Sequence, residues 1–174
     1  TAKFGAIPVN IKPASGVHEL QYALNLAGIT VLVTADSFKA SNYREMIYEL
    51  APELKRSAPG KLKADHVPDL RAVINVHEDK HDGMWTWKEF LGFSNDVSQE
   101  DLVKRQDELQ FDDPINIQFT SGTTGNPKGA TLTHHHILNN GYSVAESQLS
   151  PEQDRLVIPV PLYHCSGMFL ANLG

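Results

Sequence analysis

The feature that most constrains the fold is a repeated order in which an amphipathic segment leads into a short apolar run. Residues 29–35 (ITVLVTA) are uncharged and rich in β-branched side chains, which is typical of a strand buried on both faces of a sheet. Residues 15–28 (SGVHELQYALNLAG) precede it, begin with a possible helix cap and end in a glycine. Their apolar positions recur at helical spacing: Val17, Leu20, Leu24 and Ala27. Together the two segments predict one helix and one strand of a βαβ unit.

The same order of elements continues along the rest of the chain. Strands are predicted at residues 5–11, 29–35, 70–76, 114–120, 129–133 and 155–164. Helices are predicted at residues 15–28, 42–54, 84–92 and 134–149, the last with Thr133 as its N-cap. Polar stretches at residues 57–70, 77–83 and 94–113 are predicted to be loops or a surface linker with some helix. This alternation predicts an α/β fold in which βαβ units form a mostly parallel sheet with flanking helices.

A second informative feature is the polar stretch FTSGTTGNPKGA at residues 119–130, directly after an apolar predicted strand. Gly122 and Gly125 carry no Cβ atom, so the backbone there can approach a ligand and turn its amides inward as an anion nest. Lys128 adds a compact, rotatable positive charge, and Pro127 stiffens the turn before it. Hydroxyl donors come from Thr120, Ser121, Thr123 and Thr124. A loop with so many donors suits a polyphosphate chain.

Two other interpretations of this loop are weaker. A flexible surface turn would explain the glycines and threonines, but not the preceding strand or the fixed offsets of Pro127 and Lys128. A Walker A loop requires G-x-x-x-x-G-K-[ST], whereas here Pro127 precedes Lys128 and Gly129 follows it. The loop also leads into a short predicted strand, so capture of a phosphate by a helix dipole is not supported. A P-loop NTPase is therefore disfavoured.

Three separated segments, in the same order, resemble one known family. TSGTTGNPKGA followed by TLTHHHILNN resembles the phosphate-binding signature of the adenylate-forming acyl-CoA synthetases, a group that includes firefly luciferases and nonribosomal peptide adenylation domains. PLYHCSG at residues 161–167 is similar to the family's next motif. VNIKPASGVHELQYALN at residues 9–25 resembles the upstream segment of fatty acyl-CoA ligases. The resemblance covers nearly the whole chain.

The resemblance implies an enzyme that joins a carboxylic acid to ATP, releases pyrophosphate and passes the acyl group to the thiol of coenzyme A. ATP, Mg²⁺ and coenzyme A are the implied cofactors and co-substrates, with the magnesium ligand mainly outside this chain. The implied acid is a small molecule, and a medium- or long-chain fatty acid fits best. Because a carboxylate is already a nucleophile, the first step depends mainly on positioning and on neutralising phosphate charge.

The resemblance also implies roles for individual residues. The implied cofactor-binding loop around the β- and γ-phosphates consists of Thr120, Ser121, Gly122, Thr123, Thr124, Gly125, Asn126, Pro127 and Lys128. Thr124 and Lys128 are expected to act in catalysis, Thr124 as a hydroxyl donor and Lys128 by neutralising charge. His164 is expected beside the reacting carboxylate, with a core histidine at a strand end as the alternative. Residues 165–169 either line the acyl pocket or pack in the core.

The remaining histidines do not predict a metal site. Adjacent residues on a helix point about 100° apart, so His134, His135 and His136 cannot converge on one ion, and a capping or surface role is expected. His77 and His81 lie among acidic residues in a polar stretch, and a polar loop is the expected explanation, because no second ligand cluster is identifiable.

Composition excludes several classes of partner. The net charge of −6 and pI near 5.7 argue against broad binding of nucleic acid or anionic membranes. No apolar run approaches the roughly 20 residues that a bilayer span needs. The single cysteine, Cys165, cannot form a disulfide within one chain and favours a reducing compartment. A cytoplasmic location is therefore predicted, with the mitochondrial matrix as the alternative.

Both ends of the chain resemble interrupted helices, TAKFG at the start and MFLANLG at the finish. Residues 1–174 are therefore predicted to be part of the N-terminal adenylation domain, truncated at both ends and without the family's small C-terminal domain. Such a piece is expected to be inactive alone and to self-associate through an unpaired strand edge. The alternative is a non-catalytic module that binds a nucleotide phosphate or a partner protein.

Overall fold

The computed structural model describes residues 2–120, 126–148 and 160–161. In chain order its strands are β1 Val9–Asn10, β2 Val31–Thr34, β3 Ser37–Phe38, β4 Ser41–Asn42, β5 Ala72–Asn75, β6 Trp85–Thr86, β7 Pro114–Phe119 and β8 Gly129–Thr133. Its α-helices are α1 Val17–Leu26, α2 Tyr43–Leu50, α3 Trp87–Gly92, α4 Gln99–Asp107 and α5 His134–Gln148. The chain divides into two compact units: the first comprises Thr1–Asn10 and Gln99–Gly174, and the second comprises Ile11–Ser98.

The second unit is built on a parallel sheet of strand order β2-β5-β6. Val31 pairs with Ala72 and Thr34 pairs with Asn75, so β2 and β5 are matched along their whole length. The antiparallel hairpin of β3 and β4 connects β2 to α2. Buried side chains from the sheet, α1, α2 and the following loops form one core: Leu20, Leu24, Ile47, Leu50, Ala51, Leu54, Leu62, Ala64, Val67, Leu70, Val73 and Met84. The α/β prediction is confirmed, since parallel strands alternate with helices.

Helix starts in the second unit follow from local capping. Asn42 Oδ1 accepts a hydrogen bond from the Glu45 amide (3.2 Å) at the start of α2. Thr86 and Glu89 form a reciprocal capping box at the start of α3, with hydrogen bonds of 2.9 and 3.2 Å. Glu89 also pairs with Lys80. That ammonium, and then the Thr86 amide, lower the pKa of the Glu89 carboxyl below its ordinary value of 4.5.

Burial of β2 differs from the prediction for residues 29–35. Val31 and Val33 are 47% and 49% exposed, so the prediction of a strand buried on both faces is wrong for β2. The reason is its place in the sheet: β2 lies at an edge of the described β2-β5-β6 sheet, whereas the central strand β5 is buried at every residue. A run of apolar residues identifies a strand but does not say where in the sheet it lies.

Two predicted boundaries also shift. The helix predicted at residues 84–92 begins as strand β6, and only Trp87–Gly92 is helical. The strand predicted at residues 5–11 shortens to Val9–Asn10, because Gly5 adopts a positive φ of 75° after the short 3-10 helix Ala2–Phe4. Gly5 thus ends the short 3-10 helix at the start of the described residues. The strand predicted at residues 155–164 lies almost wholly outside the described residues.

The first unit is built on a mixed sheet of strand order β1-β7-β8. β7 pairs in parallel with β1 and antiparallel with β8, so β8 is the short return strand that the sequence predicts. Helix α4 is joined to the 3-10 helix Ala2–Phe4 through a hydrogen bond from Arg105 Nε to the Phe4 carbonyl (3.1 Å). Helix α5 buries Ile137, which is 5% exposed. Over the described residues, no helix has the length and apolar character needed to cross a membrane.

Candidate functional site

The β7–β8 hairpin carries the predicted phosphate loop at one end. Phe119 and Gly129 are the last residue pair of the ladder on that side, so the connection between the strands runs from Thr120 to Lys128. Gly129 packs closely against β7, since a Cβ atom at this position would stand 3.1 Å from Ile117 Cγ2. The strands therefore hold both ends of the loop against each other.

Two hydrogen bonds between Thr120 and Lys128 close the base of this loop. The Thr120 amide donates to the Lys128 carbonyl oxygen (3.0 Å), and the Lys128 amide donates to Thr120 Oγ1 (3.1 Å). The structure thus brings these two predicted site residues together, although they lie eight positions apart in the chain. The sequence does not predict this direct contact, because it depends on the register of β7 against β8.

The side chain of Lys128 is exposed. No carboxylate in the described part of the chain forms an ion pair with its ammonium group. Its main chain is fixed by Thr120, and none of the described carboxylates neutralises its charge. An ammonium on an anchored backbone is suited to neutralising a phosphate group.

Polar side chains line the buried face of β7 as it approaches the loop. Asn116 is 1% exposed and Gln118 is 9% exposed, and Asn116 Nδ2 donates to the Pro8 carbonyl oxygen (3.1 Å). Alternate residues of a strand share a face, so Asn116 and Gln118 lie on the same face of β7, and the exposed Thr120 follows just beyond its last residue. Polar and apolar residues alternate in PINIQF, and this alternation indicates the polar face. The prediction of an apolar strand at residues 114–120 does not include that face.

Two of the other predicted loop residues lie in the described part of the chain. Asn126 is exposed and Pro127 is half-buried. The remaining loop residues lie outside the described part of the chain: Ser121, Gly122, Thr123, Thr124 and Gly125. His164 and residues 165–169 also lie outside it. Their roles stay predictions.

The histidine run does not belong to the loop. Thr133 Oγ1 accepts from the His136 amide and the Thr133 amide donates to His136 Nδ1, both at 3.2 Å, which confirms the predicted cap. His135 donates its amide to the Phe111 carbonyl (2.9 Å). The run starts at the far end of β8, a five-residue strand that is roughly 13 Å long. These histidines therefore begin a helix at the end of the hairpin opposite Lys128.

The acidic and histidine-rich loop of the second unit is held by a polar network. His81 Nε2 lies 2.7 Å from Asp36 Oδ1, and Asn75 Nδ2 donates to the same oxygen (3.2 Å). The predicted polar loop at residues 77–83 is confirmed. In the stretches that the structure describes, no three His, Cys, Asp or Glu side chains are grouped so as to hold a metal ion.

Comparison with known proteins gives consistent matches over the whole length. A family model described as AMP-binding enzyme matches residues 1–174. The Bacillus subtilis (strain 168) protein YngI, named as an acyl-CoA synthetase, is 38% identical over 174 residues. The mitochondrial medium-chain acyl-CoA ligase ACSF2 is 40% identical over 169 residues in Danio rerio and over 171 residues in Homo sapiens. The chain spans 32% of the length of YngI and 28% of the length of either ACSF2 protein.

Two solved structures have a fold similar to that of this chain. ATP-bound MatB from Rhodopseudomonas palustris matches with a TM-score of 0.58 at 22% identity, over 96% of this chain and 28% of that one. The N-terminal domain of FACL13 from Mycobacterium tuberculosis matches with a TM-score of 0.60 at 21% identity, over 98% of this chain and 36% of that one. At these identities the likeness bears on the fold, and it supports the α/β assignment.

Proposed function

The chain belongs to the AMP-binding enzyme family, and we propose that the protein carrying it is an ATP-dependent acyl-CoA ligase. The observation that carries the proposal is the hairpin loop closed by Thr120 and Lys128, with its exposed ammonium at the loop's end. The acyl-CoA synthetase and ligase names of the relatives at 38% and 40% identity support the same reaction.

The proposed reaction has two steps. A carboxylate oxygen of the acid attacks the α-phosphorus of ATP, the bond from that phosphorus to pyrophosphate breaks, and an acyl-adenylate remains. The thiol of coenzyme A then loses its proton, its sulfur forms a bond to the acyl carbon, and AMP leaves with the electron pair of the broken acyl–oxygen bond. In the first step negative charge accumulates on pyrophosphate, so fixed positive charge and hydrogen-bond donors are what the protein must provide.

We assign that task to the predicted loop. Lys128 would neutralise charge on the β- and γ-phosphates, with Ser121, Thr123 and Thr124 donating hydroxyl hydrogen bonds. The glycines of the loop would let the main-chain amides approach the phosphate oxygens. His164 would contact the carboxylate of the acid. The closed loop base and the ammonium without an ion pair among the described residues support the assignment to Lys128.

The described residues do not form a binding site for Mg²⁺. No cluster of three His, Cys, Asp or Glu side chains exists among them, and carboxylate oxygens are the ligands that Mg²⁺ prefers in proteins. Mg²⁺ would supply charge neutralisation on the phosphates when bound. Its protein ligands are proposed to lie mainly outside this chain.

The proposed substrate class, location and domain assignment are based on the names of the similar proteins. We propose a medium-chain fatty acid, because the ACSF2 relatives are named medium-chain acyl-CoA ligases. A cytoplasmic location is proposed, and the mitochondrial matrix is the alternative that the name of ACSF2 favours. Residues 1–174 are proposed as part of an N-terminal adenylation domain, in line with the match to the N-terminal domain of FACL13.

Self-association through β2 is also proposed. This strand lies at an edge of the described β2-β5-β6 sheet, exposes Val31 and Val33, and carries no charge or proline in VLVT. Natural edge strands usually carry such protection against pairing with another chain. A second copy pairing along β2 would cover these two valines.

The test of the proposed function is acid-dependent formation of a thioester. The intact protein is mixed with ATP, Mg²⁺, coenzyme A and fatty acids of increasing length, and AMP release and loss of free thiol are followed together. Equal amounts of AMP and thioester, with a maximum at medium chain lengths, are the expected result. ATP consumption that does not depend on the acid would contradict an acyl-CoA ligase and would favour a non-catalytic or NTPase module.

A further inference from the structure

The hydroxyl of Thr120 is already engaged within the protein. The sequence resemblance implies that Thr120 is one of several hydroxyl donors to phosphate. In the structure, Thr120 Oγ1 accepts a hydrogen bond from the Lys128 amide (3.1 Å). A threonine hydroxyl has one donor and two acceptor positions, so the contact to Lys128 uses the oxygen's acceptor capacity.

Two hydrogen bonds to Thr120 fix the main chain of Lys128, one at its amide and one at its carbonyl. The Lys128 carbonyl accepts from the Thr120 amide (3.0 Å), while the Lys128 amide donates to the Thr120 hydroxyl. Thr120 is β-branched, and its stiff χ1 holds the oxygen in place. The two bonds lie one residue beyond the Phe119–Gly129 pair that ends the ladder. There the Thr120 hydroxyl serves as the acceptor for the Lys128 amide.

We propose that Thr120 is a positioning residue, whose hydroxyl holds the backbone of Lys128 so that the ammonium faces the phosphates. This inference rests on the proposed function of the loop. It gives Thr120 a different task from Ser121, Thr123 and Thr124, which remain the proposed phosphate donors. The hydroxyl acts on the nucleotide through Lys128 and is required before any ligand binds.

The first experiment measures amide hydrogen exchange of Lys128 by NMR without nucleotide. Thr120→Val keeps the side-chain shape but removes the acceptor, and the Lys128 amide is expected to exchange about twofold to tenfold faster. Thr120→Ser keeps the acceptor and is expected to leave exchange within about twofold. Thr131→Val is the matched control, since Thr131 lies exposed on β8 and its hydroxyl makes no hydrogen bond with the described residues. Thr120→Ala, which also lacks the acceptor, replaces Thr120→Val if that variant does not fold.

The second experiment separates positioning from a merely structural role. Thr120→Val is expected to lower kcat/KM for ATP about twofold to tenfold, because a misplaced ammonium neutralises less of the charge that accumulates on pyrophosphate in the transition state. Thr120→Ser should restore kcat/KM, and Thr131→Val should not change it. An unchanged Lys128 exchange rate or an unchanged kcat/KM in Thr120→Val overturns the inference. Absence of acid-dependent turnover in the wild type overturns the proposed function instead, and the exchange rates then still decide whether Thr120 holds Lys128.

Discussion

The Thr120 amide lies 3.0 Å from the carbonyl oxygen of Lys128, across the base of the β7–β8 loop. This bond, with its partner from the Lys128 amide to Thr120 Oγ1, makes the loop a closed unit before any ligand is present. A closed base holds the main chain of Lys128 in place at the end of the loop. Preorganisation of this kind reduces the cost of ordering the site when a nucleotide binds.

Gly83 is predicted to be one of the positions least tolerant of substitution in the second unit. Its φ is 72°, and a Cβ atom there would stand 2.0 Å from the Leu54 carbonyl oxygen. Gly83→Ala should therefore destabilise the protein by about 2–3 kcal/mol and lower Tm by roughly 5–10 °C, as measured by thermal unfolding. Gly92→Ala is the matched control, because no atom lies within 4 Å of a Cβ built at Gly92. A similar Tm for the two variants would show that the Gly83 turn can rearrange.

Glu89 is predicted to make folding stability depend on acid pH. Lys80 and then the Thr86 amide lower the pKa of its carboxyl below 4.5, so the unfolded state binds this proton more readily. The stabilising contribution is complete above about pH 4.5 and is lost as the pH falls through the lower, folded pKa. The Tm difference between wild type and Glu89→Gln should be largest near neutral pH and shrink toward about pH 3.

The control for this pH experiment is Glu49→Gln. Glu49 is exposed on α2 and forms no ion pair within the described residues. Its Tm difference from wild type should stay constant over the same pH range. A constant difference for Glu89→Gln as well would remove Glu89 from the acid response. The effect is expected to be modest, because the side chains of Glu89 and Lys80 are 44% and 58% exposed and solvent screens the pair.

Val33→Lys is predicted to reduce self-association. A lysine on an exposed edge strand opposes pairing with another chain, and Val33 is 49% exposed on β2. Sedimentation velocity over a range of concentrations should show the wild type associating and Val33→Lys shifted toward monomer. Val97→Lys introduces the same change at a residue that is 59% exposed but lies outside any strand, and it should associate like the wild type. A wild type that stays monomeric throughout would refute the β2 interface.

Much of the local structure could be predicted from the sequence. The residues of β8 and the Thr133 cap of α5 were predicted correctly, because both depend on neighbours in the chain. The exposed face of β2 could not be predicted from the sequence, since the order of strands in a sheet is set by tertiary structure. The Asp36–His81 pair joins residues 45 positions apart, and no local pattern indicates such a contact.

The candidate site could be predicted in composition but not in geometry. Glycines, hydroxyl residues and Lys128 in one short stretch indicated a phosphate loop. The acceptor role of Thr120 could not be predicted from the sequence, because it depends on the register of β7 against β8, which brings the Lys128 amide to the hydroxyl. The polar face of Asn116 and Gln118 was readable as alternation in the strand, but their burial depends on what packs against β7.

The most direct test of the central claim is the exchange of labelled pyrophosphate into ATP by the intact protein, with and without a fatty acid. Wild type should show acid-dependent exchange. Lys128→Ala should lose it by on the order of 10²-fold with stability changed by no more than about 0.5 kcal/mol. Lys104→Ala, at an exposed lysine of α4, should behave like wild type. Exchange that proceeds unchanged in Lys128→Ala would contradict a phosphate-binding role for this loop.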